Sequence, residues 1–223
     1  MLNDIWPALG LSLKVAACAT FLNLLLGVGT GFALARLRLA GRDLADTLLT
    51  LPMVLPPTVL GYYLLVLFGR NSPVGRWLQD TFDFSLIFTW QGAVIAATAV
   101  TFPLVFKPAR AAFEGVNPQL EAAARSLGLS ASAVFLRVTL PLAWRGILAG
   151  LLLAFARALG EFGATLMIAG SIPGQTQTLS IAVYEAVQAG NDKLADQLVL
   201  LISLVCTIVL WSTTRLAKAK DSA

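Results

Sequence analysis

Histidine is absent from all 223 residues. That removes the side chain most often used as a metal ligand and as a general base near neutral pH. Charge is scarce too: Asp, Glu, Lys and Arg make up 13% of the chain, about half the ~25% usual in a soluble domain. A chain that is 57% hydrophobic has too little polar surface to cover itself in water, which excludes an ordinary soluble enzyme. The two cysteines, Cys18 and Cys206, lie inside apolar runs; they form no disulfide framework and read as small packing residues. There is no Gly-x-x-x-x-Gly-Lys-Ser/Thr loop to cradle ATP phosphates, so energy must come from a partner or a gradient. With no metal-type cluster and no paired carboxylates, no residue is assigned as catalytic or as a metal ligand. The first residues, Met1 to Pro7, carry no basic stretch and do not read as a cleaved secretory leader.

What the chain has instead is long apolar runs. A bilayer core of about 30 Å needs roughly 20 apolar residues of helix. Val15–Ala35, Thr47–Gly69, Phe84–Phe106 and Gln197–Thr214 meet or nearly meet that length without a charge. A fifth run, Leu142–Ala169, is as long but holds Arg145, Arg157 and Glu161. All five are expected to be helical, because a lone strand leaves backbone groups unpaired in lipid. The expected fold is therefore all-α, a polytopic membrane bundle of about five spans, forming one domain over residues 1–223. The patch Leu179–Ala189 is too short to span and contains Glu185; it reads as a short helix at the outer surface, with a re-entrant element as the alternative.

Basic residues set the orientation. One set of span ends carries eleven: Arg36, Arg38, Arg42, Lys107, Arg110, Arg125, Arg137, Arg145, Arg215, Lys218 and Lys220. The other carries three, Arg70, Arg76 and Lys193, beside Lys14 near the outer end of span one. The bias predicts an outside N-terminus, a cytoplasmic C-terminus and a cytoplasmic segment 107–140. It also accounts for the net charge of +4 without a nucleic-acid partner.

Three spans carry unusual residues. Gly27 and Gly31 in span one, and Gly146 and Gly150 in span four, are four apart, a spacing that lets helix backbones approach closely. It serves packing within one chain or a seam between two copies. Span two contains Pro52, Pro56 and Pro57, each of which removes a helix hydrogen bond. A kink there, next to a pathway or simply structural, is expected at Pro56 and Pro57, and a second kink in span three at Pro103. In span four Arg157, Glu161 and Thr165 follow at i, i+4 and i+8. On a continuous helix they would share one face, either as an internal ion pair or as a pathway or gate element meeting an anion. Gly160 and Gly163 flank Glu161. No internal repeat stands out, and five spans are too few for two matching halves, so a pathway needs a second copy.

In the segment 107–140, Asn117 suits an N-cap, Pro118 a first helical position and Gly128 a helix stop. This predicts a helix over Pro118–Leu127 and a second over Ser130–Thr139 that stops at Pro141. The stretch Glu121-Ala-Ala-Ala-Arg-Ser-Leu-Gly128, then nine residues, then Val138-Thr-Leu140-Pro141 resembles the coupling signature of ABC importer permeases. The acid stands seven residues before Gly128 rather than the six of the general pattern, where Ala122 stands. Within that family, Leu51-Pro-Met-Val-Leu-Pro-Pro-Thr-Val-Leu-Gly61-Tyr-Tyr and Leu159-Gly-Glu-Phe-Gly-Ala-Thr165, followed by Ser171-Ile-Pro-Gly-Gln-Thr-Gln-Thr178, look like the molybdate branch. The Gly-Glu-Phe-Gly core is similar to sulfate permeases as well.

The resemblance implies a type I ABC importer permease of a bacterial inner membrane. It implies a homodimer, two copies of a separate ATPase that binds ATP and Mg, and a periplasmic molybdate-binding protein; this chain would bind no cofactor. Coupling to the ATPase would rest on Glu121, Ala123, Ala124, Gly128, Leu140 and Pro141. The pathway or gate would involve Pro56, Pro57, Arg157, Gly160, Glu161, Gly163 and Thr165, with Thr165 the foremost anion contact. Sulfate, thiosulfate or tungstate are the alternative substrates, and an ion-coupled secondary transporter using Arg157 and Glu161 is a rival class. The five-span topology can be checked directly. Cysteines placed at Asn71 and Ala124 are expected to label from opposite sides of intact cells; labelling from one side would overturn it.

Overall fold

The structure, a computed structural model, describes the backbone of residues 2–36 and 41–218 and the side chains of residues 5–36 and 41–211. Of the basic residues counted above, Arg38 and Lys220 and the side chains of Arg215 and Lys218 lie outside this described set. All regular elements among the described residues are helical: α1 (Leu2–Arg36), α2 (Arg42–Val54), α3 (Pro57–Phe68), α4 (Pro73–Phe82), α5 (Trp90–Glu114), α6 (Pro118–Ser126), α7 (Ala131–Val134), a π-turn (Phe135–Thr139), α8 (Leu140–Leu159), α9 (Gly163–Ala169), α10 (Leu179–Gln188) and α11 (Asp192–Lys218).

Four helical stretches are long and apolar enough to cross a bilayer: Ile5–Arg36, Trp90–Glu114, Ala131–Leu159 and Asp192–Trp211. The α2–α3 pair reaches that length only when its two helices are taken together, as a broken fifth span or a re-entrant loop. At 1.5 Å per residue, neither α2 (13 residues) nor α3 (12 residues) reaches about 30 Å alone. The two axes differ by 112°. This is far beyond the kink expected of a proline. Leu55 and Pro56 both sit in extended backbone, with ψ of 138° and 136°, so Pro56 and Pro57 end one helix and start another.

The central element is α5, with α1 on one side and α8 on another. Glycine makes both contacts possible. A Cβ at Gly27 would stand 3.0 Å from Val105 Cγ1, and one at Gly31 would stand 3.0 Å from the Arg110 nitrogen. On the other side, Gly146 faces Ala112 and Gly150 faces the Leu104 carbonyl and the Pro108 ring. Proline at 108 has no N–H for the Leu104 carbonyl, and Gly150 comes close enough to cover it. The glycine pairs thus serve packing within one chain. Asn23, fully buried, adds a polar tie: its Nδ2 donates to Thr101 Oγ1 at 2.8 Å and to the Thr98 carbonyl at 3.2 Å.

The second predicted helix of the 107–140 segment does not stop at Pro141. It continues through the π-turn into α8, making one helical stretch from Ala131 to Leu159. In the π-turn the Leu140 N–H reaches back to the Phe135 carbonyl, five residues away. The wider turn makes room for the proline ring, which would clash with the carbonyl four residues before it in a regular helix. α10 is the short helix predicted over 179–189; it packs between the first turns of α1 and the start of α11, with Leu179 and Ile181 fully buried.

Close packing on α5 predicts a graded response. Gly150→Val places a branched side chain 2.8 Å from the Leu104 carbonyl and is expected to cost roughly 1–3 kcal/mol, as overpacking does. It should lower the thermal midpoint of the detergent-solubilised protein. Gly29→Ala, with nothing within 4 Å of the added carbon, is expected to leave it unchanged or raise it.

Candidate functional site

Span four is interrupted at the residues singled out in the sequence. α8 ends at Leu159, residues 160–162 leave the helix, and α9 starts at Gly163. The continuous face of Arg157, Glu161 and Thr165 is therefore not formed. Gly160 and Gly163 are poor helix formers, and Glu161 supplies the alternative bond: its Oε1 accepts from the Ala164 N–H at 2.9 Å and so serves the start of α9. The Arg157 Nη1 lies 2.9 Å from Glu161 Oε2, an ion pair without the alignment of a hydrogen bond. Burial is unequal. The Glu161 side chain is 1% exposed and that of Arg157 38%, so the carboxylate depends on the guanidinium, which itself reaches the surface.

The two interruptions lie side by side. Gly163 faces Pro57 Cβ and Thr58 Cγ2 at 3.1 and 3.2 Å from where a Cβ would be. One turn on, Gly61 meets Ala164 Cα and Met167 Cβ, each at 2.8 Å. α3 and α9 are thereby interlocked from both sides, and each begins where its span breaks. Ala158, Leu159 and Ala164 share a core cluster with Val15, Ala16 and Ala19 of α1 and Ala93, Val94, Ala96 and Ala97 of α5. That level lies toward the end of the bundle opposite Arg36 and Glu114. Pro56 and Gly160 are exposed, Pro57 is half-buried, and Gly163 and Thr165 are buried. Thr165, at 1% exposure, presents no free surface in this conformation.

At the other end, α6 is bounded as its residues predict. Asn117 Oδ1 accepts from the Gln119 N–H, Pro118 opens the helix, and Gly128 stands at φ 85° just past its end. Glu121 and Ala124 point inward. Thr139 Oγ1 donates to Glu121 Oε1 at 2.6 Å, and Arg36 pairs with the same carboxylate. Glu121 thus ties α6 to the end of α1 and to the π-turn. The adjoining, outward-facing side carries Leu120 and Leu127, 49% and 84% exposed, with Ala123 between them. Leu140 is half-buried and Pro141 exposed.

Several partners had no signal in the sequence. Arg36 meets Glu121 across 85 positions. Asp46 pairs with both Lys107 and Arg110, and Glu114 with both Arg42 and Arg110. These pairs hold the foot of α2, which buries none of its own residues. Gly61 could have been suspected from its place after the proline run, but its contact with α9 could not. No group of three or more Cys, Asp or Glu side chains able to hold a metal occurs among the described residues.

Comparison with known proteins agrees with this architecture. The family model described as binding-protein-dependent transport system inner membrane component matches residues 24–221. The molybdenum transport system permease protein ModB of Escherichia coli K12 is 43% identical over 204 residues, covering 92% of this chain and 89% of that protein. A putative molybdenum transport system permease protein of Bacillus subtilis, YvgM, is 43% identical over 209 residues, 94% of this chain and 92% of the relative. The sulfate transport system permease protein CysW of Synechococcus elongatus is 36% identical over 208 residues, 93% of this chain and 72% of the relative. Among solved structures, the inward-facing MetNI methionine ABC transporter aligns with TM-score 0.71 at 16% identity, over 98% of this chain and 95% of that one. A bacterial ABC transporter involved in alginate import aligns with TM-score 0.75 at 14% identity, over 97% and 79%. At these identities the structural likeness concerns the fold.

The unequal burial of the Arg157–Glu161 pair predicts unequal mutants. Arg157→Gln strands a buried carboxylate and is expected to cost up to roughly 3–5 kcal/mol, the range for breaking a buried pair. Glu161→Gln leaves an arginine that already reaches the surface and an amide oxygen that can still cap α9, so it should cost less. The double change should recover most of the folded protein in a detergent-stability assay. Two single mutants as stable as the parent would show that the side chains are not coupled.

Proposed function

We propose, from the premise that this chain belongs to the family of binding-protein-dependent transport system inner membrane components, that it is the membrane-spanning permease subunit of an ATP-driven molybdate importer. The observation that carries the coupling part is α6: a short helix, capped at both ends and anchored by Glu121, that turns Leu120, Ala123 and Leu127 outward at the basic end. An exposed apolar stripe on a helix outside the bilayer fits a protein partner. A separate ATPase docking there, with ATP and Mg bound by that partner, supplies the energy this chain has no phosphate loop to extract. Glu121 and Ala124 then hold the platform in place, and Ala123 and the leucines meet the partner. Gly128 sets the turn, and Leu140 and Pro141 join the platform to span four.

The substrate reading rests on the relatives named for molybdenum transport at 43% identity over nearly the whole chain. Sulfate is the second reading, favoured by the sulfate permease at 36% identity, with tungstate as molybdate's chemical neighbour. The basic bias supports an outside N-terminus and a cytoplasmic C-terminus. A homodimer is supported by the break at Leu55–Pro56. Hydrocarbon cannot satisfy an interrupted backbone, yet α2 buries nothing and Tyr62 and Tyr63 are more than half exposed. A second copy across a wet seam covers this face, and a periplasmic binding protein delivers the anion to it.

Transport then proceeds by alternating access. ATP-driven closure of the ATPases moves the two α6 platforms together, and the interlocked α3–α9 pair shifts as a unit about the breaks at Leu55–Pro56 and Gly160–Phe162. Arg157, near the second break, is the charged group able to meet a dianion.

Proteoliposomes containing the permease, its ATPase and a binding protein test the reading. Molybdate-dependent ATP hydrolysis and uptake are expected; stimulation by sulfate alone would favour the second reading, and no coupling to an ATPase would overturn both. Gly128→Pro is expected to abolish uptake while the subunit still inserts, because proline cannot adopt the positive φ there. Normal uptake in that mutant would remove the turn from the mechanism.

A further inference from the structure

At the end of the bundle opposite α6, a cavity of about 420 Å³ opens between the first turns of α1, the loop before α10, α10 itself and the start of α11. Its walls are mostly apolar, formed by Ile5, Ala186, Leu194 and Leu198 among others. Among the described residues one ionisable group lines it, Glu185. Gln177 Nε2 donates to the Glu185 carboxylate and fixes it at the wall.

The level of this cavity follows from α1. Lys14 places its ammonium 3.5 Å from the Trp90 ring centroid, a pairing of the kind that marks a membrane–water interface. Ile5 is nine residues earlier on the same helix, about 13 Å farther out at 1.5 Å per residue. The mouth therefore lies in water, beyond the reach of acyl chains. The nearby exposed charges on α11 are Asp192, Lys193 and Asp196, so the rim adds negative charge. An apolar wall with a carboxylate at its side suits the aliphatic stem and cationic head of lysine or arginine.

The same short helix touches the interruption in span four. Ser180 Oγ donates to the Leu159 carbonyl at 3.2 Å, where α8 ends, and the Tyr184 ring lies 4.9 Å from the Phe162 ring inside the break. Glu185 follows Tyr184 directly. An occupant held by Glu185 bears on the helix that rests against the break.

We propose that this cavity is a docking socket for a lysine or arginine side chain of the soluble anion-delivering protein, and that α10 passes its occupancy to the break at Gly160–Phe162. The proposal rests on the importer reading and on the orientation given above. It is tested in proteoliposomes of the complete complex by titrating the molybdate-loaded binding protein against ATP hydrolysis. Glu185→Lys is expected to raise the half-maximal concentration about tenfold or more and Glu185→Gln about threefold, as loss of one interfacial charge pair does, with basal hydrolysis unchanged. A Glu185→Lys complex that titrates like the parent overturns the socket. Should that variant fold poorly, Ala189→Cys carrying a photo-crosslinker at the mouth leaves Glu185 intact. An adduct with the binding protein supports the proposal, and adducts confined to lipid or to a second permease copy overturn it. Absence of stimulation in the parent complex counts against the importer reading, while the crosslink reports on the socket independently.

Discussion

Lipid hydrocarbon offers no partner to a backbone N–H or C=O, so a chain that interrupts its helices within the bilayer must shield the interruptions itself or with another protein. Two spans here are interrupted, at Leu55–Pro56 and at Gly160–Phe162. Their restarting helices are placed against each other, with Gly163 under Pro57 and Thr58 and Gly61 over Ala164 and Met167. Glu161 closes one break by accepting from Ala164, and Arg157 offsets its charge. Removing either glycine would push the helix starts apart.

The rest of the bundle can be understood as support for that junction. α5 provides a fixed post, gripped by α1 and α8 through small residues, so that backbone lies on backbone. Where packing is loose, charge substitutes: α2 buries none of its residues, and its foot is held by Asp46 and Arg42 on the end of α5. One half of the broken span is thus tied to the post by ion pairs and the other half to α9 by van der Waals contact. That division suits a hinge, because relative motion can occur at the break without disturbing either attachment.

The two ends of the molecule are specialised in opposite ways. At the basic end a helix is braced by Glu121, Arg36 and Thr139 and turns apolar residues outward. At the far end α10 connects a concave, mostly apolar opening lined by Glu185 to the break in span four. The two ends are joined to the α3–α9 pair by α8 from one side and by α10 from the other.

Much of this was legible in the amino-acid order alone. Apolar run length located the four membrane-length helices and the bent α2–α3 pair, because the bilayer sets one thickness for all of them. Asn117, Pro118 and Gly128 determined α6 almost to the residue, because capping and turn chemistry are local. Tertiary structure decided what local rules leave open. The Arg157–Glu161–Thr165 spacing fits a helix, yet Glu161 gains a backbone bond and a buried position only if the helix stops. Pro141 would end an ordinary helix, yet a π-turn carries it through. Glu121, marked by its motif, turned out to face Arg36, 85 positions away. Such choices depend on which groups meet in space, and side-chain pairing over that separation leaves no trace in a single chain's order.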